Sequence, residues 1–415
     1  MPMPVRSLPV LQNWDCHSCS DCCRTYAVAV TADERERIEK QNWAIDPDLK
    51  GVTIFETGKD GVTLAHRPDG ACVFLGPDNR CRIHAKFGSA AKPLACRVYP
   101  LVMIPTGDYW RVGLRYSCPS VAKNEGRAMT AHAKDAAAYA AELEPRDITR
   151  DLPPPPLQGG QTVAWPDLSR FVTAFAGVLS KADRPMEWKL RHLLLLTSQL
   201  RILTYEKVVG NRLTELVNVL AEGVEEDVPP AEQVPPPGWV GRMLFRQLAS
   251  VHARVDRGPD RGTMPDGGWI RRMRAGYRFA VGTGRVPQVN SLLAVGVRFE
   301  VGEQFAGPLP AESEQLFLRY FRTKLDSMQF AGPINFHLPF WAGLDSLILV
   351  FPMTLWLSRL ITTADRPRPV AIREALRLID NSYGFNPLLR PKLPSALRSL
   401  HLKEELPRLV AWYSR

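Results

Sequence analysis

Cys16-His17-Ser18-Cys19-Ser20-Asp21-Cys22-Cys23 puts four thiols within one short run, and the other cysteines, Cys72, Cys81, Cys96 and Cys118, all precede Pro119. Two-residue gaps let a loop fold back so that successive sulfurs meet at one centre, which is why such spacing recurs in zinc and iron–sulfur sites. The adjacent pair Cys22 and Cys23 is harder to aim at a single ion, since neighbouring side chains of an extended chain point to opposite sides. A disulfide framework is the competing reading, but such frameworks serve small secreted domains with thin cores. The first fifteen residues alternate prolines with short apolar pieces and contain no continuous apolar segment of a secretory signal, so a reducing cytoplasm is the expected compartment. All eight cysteines are therefore candidate metal ligands, with His17 and His84 as weaker, outer-shell candidates.

The four cysteine blocks are CHSCSDCC (16–23), ACVFLGPDNRCRIH (71–84), KPLACRVYPL (92–101) and YSCPS (116–120). In order, spacing and flanking residues they resemble the CxxCxxCC cysteine-cluster family, known for a zinc- or iron-chelating domain and including the bacterial flagellin lysine N-methylases. The resemblance covers about Trp14 to Gly126; beyond it the likeness to the methylase branch is a long helical remainder. It implies a metal cofactor and, if the methylase likeness extends to activity, S-adenosylmethionine-dependent methylation of lysines on a partner protein such as flagellin. More thiolates are present than one tetrahedral zinc needs, so an iron–sulfur cluster is expected over zinc, although thiolate suits both. A methylase needs a group to take the lysine proton, for which Tyr99 and Tyr116 beside two cysteine blocks are the candidates. Arg97 is the candidate for the cofactor carboxylate, through a bidentate pair. The alternatives are a metal-binding or redox module without catalysis, and a structural zinc domain on a helical scaffold with no ligand-sized pocket.

The expected fold is α+β: a small, irregular cysteine-rich metal-binding domain over residues 1–126, a connecting helix over 127–150, and a mainly α-helical domain over 161–415. In the first part, Tyr26–Val30 reads as a short strand, and Thr31-Ala-Asp-Glu34 is a capping box opening a helix from Ala32 to about Gln41. Gly61–Arg67 and Cys72–Leu75 read as extended, with Gly76-Pro77-Asp78-Asn79 turning the chain so that Cys72 and Cys81 meet. Trp110–Tyr116 alternates and delivers Cys118. Further on, the alanine-rich stretch 122–144 reads as helical and stops at the prolines after Asp151. Apolar periodicity marks helices over 165–204 and 213–220, and again near Trp239, Trp269, Glu312, Leu344, Ala371 and Ser395. The proline-rich stretch 228–238 reads as a semi-rigid connector.

The 415 residues carry 45% hydrophobic and 23% charged side chains, ordinary globular values, with a net charge of +10. Between Trp239 and Arg285 ten arginines face three aspartates, but no nucleic-acid motif accompanies them, so they read as a solvated face and no nucleic-acid partner is expected. Leu338–Leu357 is long enough to span a membrane, yet Pro339, Asp345 and Pro352 interrupt it, so a buried core helix is expected instead of a membrane span. Phosphate-cradling glycine loops are absent, and Gly282-Thr-Gly284 lacks a third glycine, which argues against a Rossmann-type cofactor site.

Overall fold

Thr31 and Glu34 close the capping box read from the sequence: the threonine Oγ1 accepts from the Glu34 N–H at 3.3 Å, and Glu34 Oε2 accepts from the Thr31 N–H at 2.9 Å. The computed structural model describes residues 3–58, 61–144, 152–254 and 269–415, without the side chains of residues 269, 271 and 272. It is α+β, and among the described residues the small sheets all lie in the cysteine-bearing region, with helices thereafter.

That region contains β1 (Val5–Ser7), β2 (Asn13–Trp14), α1 (Asp21–Thr25), α2 (Ala32–Glu39), β3 (Phe55–Gly58), β4 (Gly61–Leu64), α3 (Arg82–Phe87), α4 (Leu94–Val98), β5 (Leu101–Thr106), β6 (Tyr109–Leu114), α5 (Pro119–Lys123) and β7 (Arg127–Ala128). The expected strand at 26–30 is reduced to a single bridge, Ala29 to Thr63, flanked by backbone hydrogen bonds to β4. Strand β5 was not evident in the sequence because Pro105 interrupts it. The sheet order β1-β6-β5 makes β5 an edge strand, where a missing N–H breaks no ladder bond. The β5–β6 hairpin turns at Gly107, whose φ of 71° suits glycine. Gly126 has a φ of 114°, and a Cβ there would lie 2.3 Å from the Asp15 backbone nitrogen, so the β2–β7 pairing beneath the first cysteine block requires a glycine.

The helices that follow are α6 (Ala133–Leu143), α7 (Trp165–Leu179), α8 (Met186–Leu200), α9 (Asn211–Gly223), α10 (Trp239–Ala253), α11 (Trp269–Val281), α12 (Phe299–Gly302), α13 (Ala311–Asp326), α14 (Phe340–Ile361), α15 (Arg368–Ser382), α16 (Leu393–Leu402) and α17 (Glu405–Ser414). The expected connecting helix is shorter than read. A 3₁₀ turn at Met129–His132 precedes α6, and residues 145–151 lie outside the described ones, as does the 255–268 part of the arginine-rich run. Helix α14 is the stretch that passes for a membrane span by length and composition, and 94% of that window is buried inside the fold. Its Asp345 is paired with Arg201 at 2.6 Å. The 228–238 stretch is fastened to the helical domain at both ends and in its middle. Arg191 donates to the Pro229 carbonyl at 2.6 Å, Arg415 to that of Val234 at 3.1 Å, and the Gly238 N–H to Glu405 at 2.9 Å.

Two cores result, and their division falls inside the cysteine-bearing region. Val30, Ile38, Trp43, Leu64, Phe74 and Ile83 form a small core of their own, whereas Leu101, Val112, Leu114, Tyr116 and Val121 pack into the large helical core. Glu34, 2% exposed, ties the small core to α4, because its Oε1 also accepts from the Leu94 N–H at 2.9 Å. Thr31→Ala should therefore cost about 1 kcal/mol, an ordinary cap loss. Glu34→Ala should cost more, since it orphans the buried Leu94 N–H as well. Urea unfolding of both variants checks the order, and equal losses would contradict it.

Candidate metal centre

Cys22 and Cys23 both lie on α1, with their sulfurs 4.0 Å apart. The helical turn brings the adjacent pair to the same side, which an extended chain would not. The Cys23 carbonyl accepts from the Cys72 N–H at 2.8 Å, so the second block is laid directly on the first. The Gly76–Asn79 turn closes with the Gly76 N–H on the Arg80 carbonyl at 2.8 Å, and the bridge of Leu75 to Cys81 returns the chain beside Cys72. Cys96 enters from α4. These five thiols, Cys22, Cys23, Cys72, Cys81 and Cys96, line one cavity of about 880 Å³. Cys16 and Cys19 are exposed on the loop before α1, and Cys118 is buried at the N-cap of α5; none of these three lines that cavity. All eight cysteines are free thiols, and among the described residues no three metal-binding side chains stand at ligating distance of one point.

The electrostatics of the thiols fit a cation in this place. Burial pushes Cys72 up to about 11 and Cys96 up to about 12, while the Cys23 thiol and then burial raise Cys22. Burial also raises Cys118 to about 11, although the backbone N–H groups of Val121 and Ser120 near the start of α5 oppose the rise. Without a positive charge these sulfurs keep their protons, because neighbouring thiolates in a desolvated site repel one another. A divalent ion or a cluster supplies that charge and releases the protons, and a set of soft thiolates suits zinc or iron.

Helix α15 holds the two outer cysteine loops. Arg377 Nη2 pairs with Asp21 at 2.5 Å and its Nε donates to the Ser117 carbonyl at 3.3 Å. Asp380 accepts from the Ser117 N–H at 3.1 Å, and Asn381 accepts from the Tyr26 hydroxyl at 2.8 Å. Behind them Lys324, on α13, pairs with Asp380 at 2.6 Å, both side chains 0% exposed, and donates to the Leu114 carbonyl at 2.9 Å. His17 shares a hydrogen bond with Ser120 at 3.0 Å and so links the first and last cysteine blocks as an outer-shell residue would. His84 is exposed on α3, away from the cavity lining.

Of the three non-cysteine candidates, the structure leaves one at the cavity. Tyr99 lines it, with its ring 5.1 Å from that of Tyr26, and burial holds its hydroxyl far above the ordinary range, hence neutral. Tyr116 lies in the large core instead. Its hydroxyl bonds Gln12 at 2.8 Å and Thr323 at 3.3 Å, and its ring packs edge-on against Tyr320, which leaves no opening for a substrate. Arg97 Nη2 donates to both oxygens of Glu142, at 2.6 and 2.7 Å, and Nε to the Lys92 carbonyl at 3.3 Å, so the fork is not open to a ligand carboxylate. The cations on the cavity wall are Lys92 and Arg115, neither singled out by the sequence. Arg115 stacks 3.7 Å from the Phe385 ring, donates from Nη2 to the Asn381 carbonyl at 3.0 Å, and has a buried Nε that makes no hydrogen bond and stands 4.0 Å from Asp380. The one carboxylate in the lining, Glu34, is already committed to Thr31 and Leu94. Arg115 lies three residues before Cys118 much as Arg97 follows Cys96, and spacing along the chain did not reveal that Glu142 bonds Arg97 at 2.6 Å while Asp380 stands 4.0 Å from Arg115.

Residues 15–128 match the model of the CxxCxxCC family, described as "Putative zinc- or iron-chelating domain". No curated protein matches the chain, and no solved structure does.

Proposed function

We infer, from a zinc- or iron-chelating domain over residues 15–128 and the chamber beside it, that the protein is a metal-dependent enzyme. Within that class we read it as an S-adenosylmethionine-dependent protein-lysine N-methyltransferase, with an iron–sulfur centre favoured over zinc. The observation that carries this reading is the cavity of about 880 Å³ that five thiols share with an apolar wall and two cations. A zinc knot that merely staples a fold needs no such chamber, whereas a cavity of this size matches a small-molecule site. Among the described residues the sheets have two or three strands, so the cavity is not built on a Rossmann turn.

The cavity thiols, Cys22, Cys23, Cys72, Cys81 and Cys96, are the residues that would hold the metal, with Cys16, Cys19 and Cys118 at its flanks. When bound, the metal supplies Lewis-acid or redox chemistry at the thiol end of the cavity. The chain's own residues do the rest. Arg115 and Lys92 attract a carboxylate, such as that of the methionine part of the cofactor. Val28, Leu101 and Met103 on the wall desolvate an incoming lysine, which lowers its pKa and favours the neutral amine that attacks a methyl sulfonium. Tyr26, whose hydroxyl bonds Ser117 at 2.7 Å, and Tyr99 beside it are placed to orient that amine.

The test begins with metal analysis and visible absorbance of anaerobically purified protein, followed by binding and transfer of labelled S-adenosylmethionine to candidate proteins, flagellin first. Arg115→Met should weaken cofactor binding by about 10-fold or more, the worth of a charge-assisted hydrogen bond, while Arg97→Met leaves it within about 3-fold. Equal effects of the two substitutions would remove Arg115 from this role. Metal and cofactor bound with no label on any lysine would make the protein a non-catalytic metal module.

A further inference from the structure

A second, smaller pocket of about 350 Å³ lies between the end of α5 and the first turns of α13 and α15, and its lining includes Lys123, Ser313, Arg319, Arg373 and Glu312. Three of these side chains present a polar atom shielded from water that bonds to nothing: Ser313 Oγ, Arg319 Nε and Arg373 Nε. Other arginines of the fold also have an unpaired, shielded Nε, among them Arg37, Arg111, Arg115, Arg201 and Arg415, but each bonds through another guanidinium nitrogen. Arg319 and Arg373 differ: neither has a hydrogen bond or an ion pair anywhere among the described residues. Glu312, on the same lining, is exposed and pairs with neither, and Lys123 leans towards Glu125 at 3.8 Å. Two half-buried guanidinium groups without a counter-charge, beside a buried hydroxyl without a partner, are costly, and a bound anion would remove that cost.

We propose that this pocket binds a tetrahedral oxyanion, a phosphate or phosphate ester, held by Arg319, Arg373 and Ser313. A carboxylate has two oxygens and is satisfied by one guanidinium fork, whereas a phosphate offers enough oxygens for two forks and a hydroxyl together. The start of α13 adds the positive end of a 16-residue helix. The volume exceeds that of a bare phosphate and leaves room for a small organic body, at the lower end of small-molecule pockets. Helix α5 runs from Cys118 at its N-cap to Lys123 on this pocket, so the anion sits one short helix away from the metal domain. The site is separate from the thiol-lined cavity and holds whether or not that cavity methylates anything.

The test is the thermal midpoint of the metal-loaded protein titrated with inorganic phosphate, glycerol phosphate and acetate, at ionic strength held constant with chloride. A saturable rise with phosphate or its ester, absent with acetate, is the expected result, and the more potent of the two identifies the source as the free ion or a phosphorylated metabolite. Arg319→Gln and Arg373→Gln should each weaken the response by about 10-fold or more, and Ser313→Ala by less, without loss of the fold, because none of these side chains has a partner to abandon. A rise that acetate or chloride reproduces, or that all three variants retain, overturns the proposal. Should an arginine variant fail to fold, the response of Ser313→Ala and the phosphate-versus-acetate comparison on the unmodified protein still decide it.

Discussion

Lys324→Met should destabilise the protein by about 3–5 kcal/mol, the usual cost of removing one partner of a buried ion pair. The ammonium and the Asp380 carboxylate are 2.6 Å apart with neither side chain exposed. Methionine fills most of the volume, so the loss is electrostatic: Asp380 is left with the Ser117 N–H and with Arg115 Nε at 4.0 Å, and the Leu114 carbonyl loses its ammonium donor. Two cations around one carboxylate also explain why the converse change should be worse. Asp380→Asn leaves Lys324 and Arg115 facing each other without a counter-charge and weakens the hold on Ser117. Equilibrium denaturation measures both; a loss below about 1 kcal/mol for Lys324→Met would show that solvent or another group already compensates Asp380.

Metal removal should have the other large effect, and an uneven one. The core around Trp43 and Phe74 is small and should depend on whatever the thiols hold, while the β5–β6 hairpin belongs to the helical core. Chelation should therefore expose amides from Cys16 to about Tyr99 to hydrogen exchange, and leave Leu101–Leu114 and the helices protected. Cys72→Ser or Cys96→Ser should do the same by lowering metal affinity more than about 100-fold, beyond what outer-shell changes typically cost. Uniform loss of protection through α14 would mean that the metal supports the whole fold; no change after Cys96→Ser would take this thiol out of the ligand set.

Much of the local architecture could be read directly. The Thr31–Glu34 box, the turn that returns Cys81 to Cys72, and the burial of α14 all follow from residues within a few positions of each other, where spacing along the chain is spacing in the fold. What could not be read depends on partners far away. Arg97 and Arg115 look alike beside their cysteines until Glu142 is found to occupy one and α15 to steady the other. Tyr116 stands two residues before a cysteine, yet its hydroxyl is taken by Gln12 and Thr323, 104 and 207 positions away. Pro105 concealed an edge strand, since whether a proline is tolerated depends on which strand lies beside it. The proline-rich strap read as a connector because two of its fastenings, Glu405 and Arg415, lie 167 and 181 positions away from the residues they hold.

The clamp of α15 on the cysteine loops has a consequence for how the protein is made. Arg377 meets Ser117 across 260 positions of sequence. Ribosomes add roughly 5–20 residues per second, so the last cysteine emerges roughly 13–50 s before the helix that anchors its loop. During that interval the thiols are outside the ribosome without the helix that clamps their loops. Loading in the cell then follows one of two schedules: a metal donor that meets the nascent chain, or delivery after release to a scaffold α15 has already set. Expressing residues 1–144 alone and measuring metal uptake would distinguish a self-sufficient N-terminal unit from one that waits for its clamp.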